Sequence, residues 1–229
     1  MYFEEKSPEE LLGSLNEIER RNAPARLYFR GNTELLNIRP IVSIVGSRAA
    51  SVDGLRRAGA LTRSLVEQGV TILSGLAEGI DAEAHTVCIA KGGKTIGVIG
   101  TPLDKSFPAK NRALQERIAT EHLLLSQFPI GFQTSRASFP QRNRTMALIA
   151  DATVIIEAQD KSGSLHQGWE TLRLGRPLII LESAVNDPSL SWPKEFLKFG
   201  AFILGRNEVN DFIASLPKSR NFHDEQLAF

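Results

Sequence analysis

The run Ile41-Val42-Ser43-Ile44-Val45, leading straight into Gly46-Ser47-Arg48, constrains this chain more than any other feature. Five near-continuous apolar residues match a parallel strand buried on both faces, and such strands need helices packed above and below them. Gly46 lets the backbone turn sharply without a Cβ, and Ser47 is of a type that caps helix-start N–H groups. The N–H groups of a helix start attract anions, and Arg48 adds a full positive charge. The segment therefore reads as a phosphate-sized docking point at the carboxyl end of a strand, where open α/β sheets take their ligands.

The same alternation continues along the chain. Strands are expected at 41–45, 70–73, 95–99, 123–126, 152–157 and 177–181. Helices are expected at 52–68, around 79–90, and at 111–119, 143–150 and 164–174. Strands separated by helices of this length, joined by right-handed crossovers, give a doubly wound, mainly parallel α/β sheet of the extended Rossmann-like kind. Residues 1–40 read as a helical and strand lead-in packing on the core. Ser7-Pro8-Glu9-Glu10 is a capping-box pattern that opens a helix reaching about Arg20, and a short strand follows from Leu27. Weaker signals suggest helices at 192–199 and 208–215 and a strand at 201–204. The main domain is thus expected to span 41–216, with a loosely held tail at 217–229.

Composition excludes several functions. A net charge of +1 gives no global attraction for polyanions, so any such binding needs a local patch. The single cysteine, Cys88, excludes an intrachain disulfide and fits a buried position in a reducing cytoplasm. The N-terminus lacks the charged lead and apolar core of a signal peptide, and no apolar run approaches bilayer-spanning length. The four histidines are scattered, so no metal site is expected. No Gly-x-Ser-x-Gly elbow is present to seat a serine nucleophile.

Four further segments carry chemistry. Ser74 and Gly75 leave a strand end ahead of Gly79 and Asp81, with His85 one turn on. Their glycines either expose N–H groups to a phosphate or serve only the turn, and Asp81 either caps a helix or shapes the loop. Lys105, Lys110 and Arg112 follow the third strand as ligand contacts or as a solvated loop. Phe139, Arg142, Asn143 and Arg144 form the most loaded segment. Arginines grip phosphates, an exposed aromatic stacks on an unpaired base, and the bland alternatives are a packed Phe139 and an Asn143 helix cap. Finally, Ser162, Gly163 and Ser164 begin the last core helix, whose N–H groups again suit an anion.

Together, Gly46-Ser47-Arg48, Ser74 to His85, Gly92-Gly93-Lys94-Thr95, Phe139 to Arg144 and Ser162 to Leu165 stand in the order and spacing of the DNA-processing protein A (DprA, or Smf) family, which the chain resembles over roughly residues 27–181. The resemblance implies non-catalytic binding of single-stranded DNA without a cofactor, protection of that DNA in transformation or recombination, loading of a RecA-type recombinase, and a homodimer. It places the DNA contacts at Gly46, Ser47, Arg48, Ser74, Gly75, Lys110, Phe139, Arg142, Asn143, Arg144, Ser162, Gly163 and Ser164. His166, Trp169 and Glu170 stand where such proteins usually carry small or apolar helix residues. A competing reading is a nucleotide sensor or phosphoribohydrolase-like enzyme, because Glu170 follows a strand-to-helix turn as a possible general base; only Gly163 survives there of that group's glycine triplet. A dinucleotide-dependent dehydrogenase is poorer still, since Gly-x-Gly-x-x-Gly is missing.

Overall fold

The computed structural model describes residues 3–218. Residues 219–229, most of the expected tail, lie outside the described residues. In chain order the elements are β1 (Glu4–Lys6), α1 (Pro8–Leu12), α2 (Glu17–Asn22), β2 (Leu27–Gly31), β3 (Ile41–Val45), α3 (Val52–Glu67) and β4 (Thr71–Ser74). Next come α4 (Ile80–Ala90), β5 (Thr95–Ile99), α5 (Arg112–Glu121), β6 (Leu123–Ser126), α6 (Ser138–Ile149), β7 (Ala152–Ile155) and α7 (Ser164–Arg173). The last are β8 (Leu178–Leu181), α8 (Glu182–Val185), α9 (Trp192–Lys198), β9 (Phe202–Leu204) and α10 (Val209–Ser215).

The nine strands form one sheet in the order β1-β2-β6-β5-β4-β3-β7-β8-β9. From β6 to β9 every neighbouring pair is parallel, while β1 and β2 run antiparallel along one flank. This is the doubly wound sheet expected from the alternation. β3 is the middle strand of the seven parallel ones, and its apolar residues meet a packed layer on each face. Ile41 and Val45 point to the layer that holds Met146, Ile149, Ile180 and Phe196. Val42 and Ile44 point to the layer that holds Leu61, Leu65, Ile80 and Ala84. Burying such side chains contributes about 1.5–3 kcal/mol each. Ser43 is the one polar residue of β3, and its hydroxyl accepts a hydrogen bond from Gln167 Nε2 at 2.7 Å.

The lead-in departs from expectation in two places. Ser7 and Glu10 form the capping box, but α1 ends after one turn because Gly13 takes φ 79. A second capping box, Asn16 with Glu19, then starts α2. The charged strand β1 was not foreseen; it is an edge strand, and its Glu4 and Glu5 are exposed.

The larger departure is α6. It begins at Ser138, five residues ahead of the expected start, so Phe139, Arg142, Asn143 and Arg144 are all helical. Pro140 is compatible with this because it lies in the first turn, where its missing N–H has no intrahelical partner to lose. Among the described residues no helix is long and apolar enough to cross a membrane.

Candidate functional site

The chain steps outward from β3 to β4, β5 and β6, then returns to lay β7 on the other flank of β3. That reversal is a topological switch point, and the loops leaving the carboxyl ends of β3 and β7 part to open a crevice. A cleft of about 890 Å³ lies there. Gly46, Ser47 and Arg48 line it from β3, Phe139, Arg142 and Asn143 from α6, and Ser162, Gly163 and Ser164 from the start of α7.

The β3 turn is held by backbone contacts. A Cβ on Gly46 would lie 2.6 Å from Ile80 Cγ1 and 2.8 Å from the Glu157 carbonyl, so only glycine fits. Ser47 N–H donates to that carbonyl at 2.7 Å, and the Ser47 carbonyl accepts from Ile80 N–H at 3.2 Å. The capping role expected of Ser47 falls instead to Ser51, whose Oγ accepts from Gly54 N–H at 2.9 Å. The Glu157 carboxylate in turn accepts from Ser51 N–H at 2.9 Å and from its hydroxyl. The start of α3 therefore already holds an anion, and it belongs to the chain itself.

The β4 turn also differs from its reading. Ser74 is the last residue of β4, fully buried, and donates its hydroxyl to the Ile44 carbonyl at 2.6 Å, so it lies off the cleft. Gly75 exposes no N–H cradle. Its missing side chain makes room for Arg142, since a Cβ there would sit 1.2 Å from Nη1. Gly79, at φ 72, lets the turn pass under the Ser47 carbonyl, which a Cβ would approach to 2.3 Å.

Arg142 is the unusual group. Its side chain is 6% exposed, as is that of Asp81. Nη1 lies 2.9 Å from Met146 Sδ and 3.8 Å from Asp81 Oδ2, too far for a hydrogen bond, and Nε has no hydrogen-bond partner. Burial pushes the Asp81 carboxyl above the usual carboxylate range, with Arg142 pulling the other way. The same burial bears down on the Arg142 pKa. A guanidinium cannot shed its proton here, so it remains a desolvated cation with its donors under-used.

Phe139 is half-buried beneath Arg48, whose guanidinium carbon is 5.3 Å from the ring centroid. Asn143 is not a cap; its Nδ2 donates to the Gly163 carbonyl at 3.1 Å and ties α6 to the start of α7. Arg144 lies off the cleft, because residues two apart on a helix are rotated by about 200°. It pairs with Glu170 at 3.1 Å, and Arg173 holds the other carboxylate oxygen at 3.3 Å. Lys110 is likewise off the cleft and paired, 2.7 Å from Glu78.

Several residues that the sequence reading did not place at the site line the cleft, among them Phe107, Arg136, Lys161 and His166. Arg136 and Lys161 directly flank loaded segments, and counting cations beside those segments would have found them. The lining then carries Arg48, Arg136, Arg142 and Lys161 against the single carboxylate Asp81. A concave wall of one sign focuses potential on an anion even when net charge is near zero. His85 lies elsewhere, buried against Thr95 Oγ1 at 2.7 Å, and burial lowers its pKa to about 3. Among the described residues no cluster of His, Cys, Asp or Glu could hold a metal ion.

The family model for DNA recombination-mediator protein A matches residues 1–217. Protein Smf of Synechocystis sp. is 39% identical over 198 residues, covering 85% of this chain and 50% of that protein. DNA processing protein DprA of Streptococcus pneumoniae is 39% identical over 166 residues, covering 72% of this chain and 58% of that protein. The chain thus spans little more than half the length of these relatives. The crystal structure of the pneumococcal protein superposes with a TM-score of 0.81 at 32% identity, covering 94% of this chain and 75% of that one. The structure of DNA processing protein A from Helicobacter pylori, described for its single-stranded DNA binding mode, gives a TM-score of 0.76 at 28% identity, covering 93% and 95%. A molybdenum cofactor carrier protein of Chlamydomonas reinhardtii, at 20% identity and a TM-score of 0.53, shares the fold alone. With that match along nearly the whole chain, the protein belongs to the DNA recombination-mediator protein A family, the DprA/Smf proteins.

Proposed function

We propose that this chain binds single-stranded DNA in the cleft between the carboxyl ends of β3 and β7 and does so without chemical turnover. The observation that carries the reading is Arg142, a buried cation with unused donors in a cleft whose lining adds Arg48, Arg136 and Lys161 against one carboxylate, Asp81. A phosphate is the ligand that completes it, by charge-assisted hydrogen bonds that a neutral group cannot supply. Arg48, Arg136 and Lys161 extend the attraction along the strand. The cations line a concave cleft, Arg142 deep within it, so an unpaired polynucleotide suits the site better than a duplex.

Family membership and the single-stranded DNA binding mode described for the Helicobacter pylori relative support this choice. The phosphoribohydrolase reading loses its candidate base, because Glu170 is clamped between Arg144 and Arg173 and does not line the cleft. We extend the proposal to a homodimer that hands its DNA to a RecA-type recombinase. Phe199, Phe202 and Ile203 are exposed along the β9 edge, with Phe202 and Ile203 on opposite sides of the sheet, and this apolar rim is the surface we assign to association.

Fluorescence anisotropy with labelled oligo-dT and a matched duplex, across a salt series, tests the reading. Neutralising about three phosphates gives a log–log salt slope of about −2 for single strands. Arg48→Ala and Arg142→Ala should each weaken binding and flatten that slope, while Arg144→Ala should leave both nearly unchanged. Wild-type affinity in the first two variants would remove the cleft from the account.

A further inference from the structure

Two aromatic rings meet at the mouth of the cleft, and they are not equally available. Phe139 has Arg48 over its face, and the Gly100 backbone crowds it so closely that a Cβ there would lie 2.8 Å from Cδ1. A base could reach that face only by displacing the guanidinium. Phe107, on the loop after β5, leans on Phe139 with centroids 5.3 Å apart and planes 46° apart, yet remains 52% exposed. Phe139 therefore acts as a buttress that fixes the angle of its neighbour. Phe107 also lines both the main cleft and a side chamber of about 80 Å³ shared with Arg48 and Arg142. An exposed phenyl ring fixed beside phosphate-binding cations has the layout of a stacking platform.

We propose that Phe107 is the surface on which an unpaired base of the bound strand stacks, with Phe139 behind it and Arg48 taking the adjoining phosphate. This rests on the DNA reading above and assigns the base contact to a residue outside the motif that carries Arg142. Stacking is sequence-tolerant because every base has a π-face, and it selects against duplex, whose bases already cover one another.

The test measures anisotropy of wild type and of Phe107→Ala, Phe107→Leu and Phe107→Trp on oligo-dT and on an abasic oligonucleotide of equal length. The alanine and leucine variants should bind oligo-dT about tenfold more weakly, with an unchanged salt slope because no charge is removed. Tryptophan should restore affinity and quench a 2-aminopurine placed in the oligonucleotide. All four proteins should bind the abasic strand alike. Undiminished oligo-dT binding by Phe107→Ala, alongside weakened binding by Arg48→Ala, would overturn the stacking assignment and leave the DNA reading standing. Equal losses on dT and abasic strands would also overturn it, by showing that the ring only supports its loop. If Arg48→Ala and Arg142→Ala bind normally as well, the DNA reading itself is the failure.

Discussion

Helix α6 has a buried arginine near each end, and the two are buried almost equally, Arg142 at 5% exposure and Arg176 at 4%. Arg176 donates to the carbonyls of Ala147, Leu148 and Ala150 at the end of α6, and it pairs with the buried Glu19 of α2. It thereby supplies the positive charge that a helix carboxyl end favours and stitches the lead-in to the core. Arg142 has a sulfur atom, a carboxylate 3.8 Å away and an orphaned Nε. Desolvation weighs on both, but only Arg176 recovers it within the fold. A buried cation whose donors are filled is architecture; one left half-filled is a place for a ligand.

Stability measurements separate the two most sharply. Arg176→Met should lower unfolding free energy by about 3–5 kcal/mol in urea titrations, because it strands Glu19 and three carbonyls. Arg142→Met should cost less, about 1–2 kcal/mol, since the Asp81 left behind still accepts from the Ala77 N–H and burial already favours its protonated form. Comparable losses in the two variants would erase the distinction.

The second measurement concerns Gly75. Gly75→Ala puts a methyl where Nη1 of Arg142 lies, so the guanidinium must move although its charge remains. Affinity for oligo-dT should fall by about tenfold or more, the scale of one hydrogen bond to a charged group. Retained affinity would show that the position of Arg142 is unimportant.

The smallest effect concerns Asp81. A carboxyl held above its ordinary range takes up a proton in the fold before it does so in the unfolded chain. Between those two values the folded state binds the extra proton, so this group favours folding at low pH and loses that contribution as pH rises through the raised value. In the same window, protonation leaves Arg142 unopposed. Oligo-dT affinity should therefore rise as pH falls toward the acid range. Asp81→Asn should bind roughly threefold more tightly at neutral pH, the scale of one weak ion pair, and should lose that pH dependence. A pH profile shared by both proteins would place the titration elsewhere.

The fold was legible because buried parallel strands are nearly uniform in side-chain type. β3, β5, β6 and β8 are apolar runs, and the helices between them end at glycines such as Gly69 and Gly92. The start of α6 was hidden, because Ser138 to Arg144 carries a proline and five polar side chains and α6 has no side-chain cap. That error carried into the site. With 138–142 read as irregular, Arg142 and Arg144 looked equivalent, whereas helical rotation sends one into the cleft and the other to Glu170. Phe107 was missed for a different reason. Its neighbour Phe139 is 32 positions away in sequence, and only the sheet order brings the loops after β5 and before α6 together.

The Glu157 brace has a mechanical consequence. Its carboxylate is bonded to Ser51 and its carbonyl to Ser47, so the segments leaving β3 and β7 are riveted across the switch point. Prising those banks apart would break several hydrogen bonds at once, two of them charge-assisted, and would take the Glu157 carboxylate away from the start of α3. The floor of the cleft therefore has a set gauge, and in the proposed complex accommodation falls to the polymer, whose sugar puckers and torsions must conform to the protein.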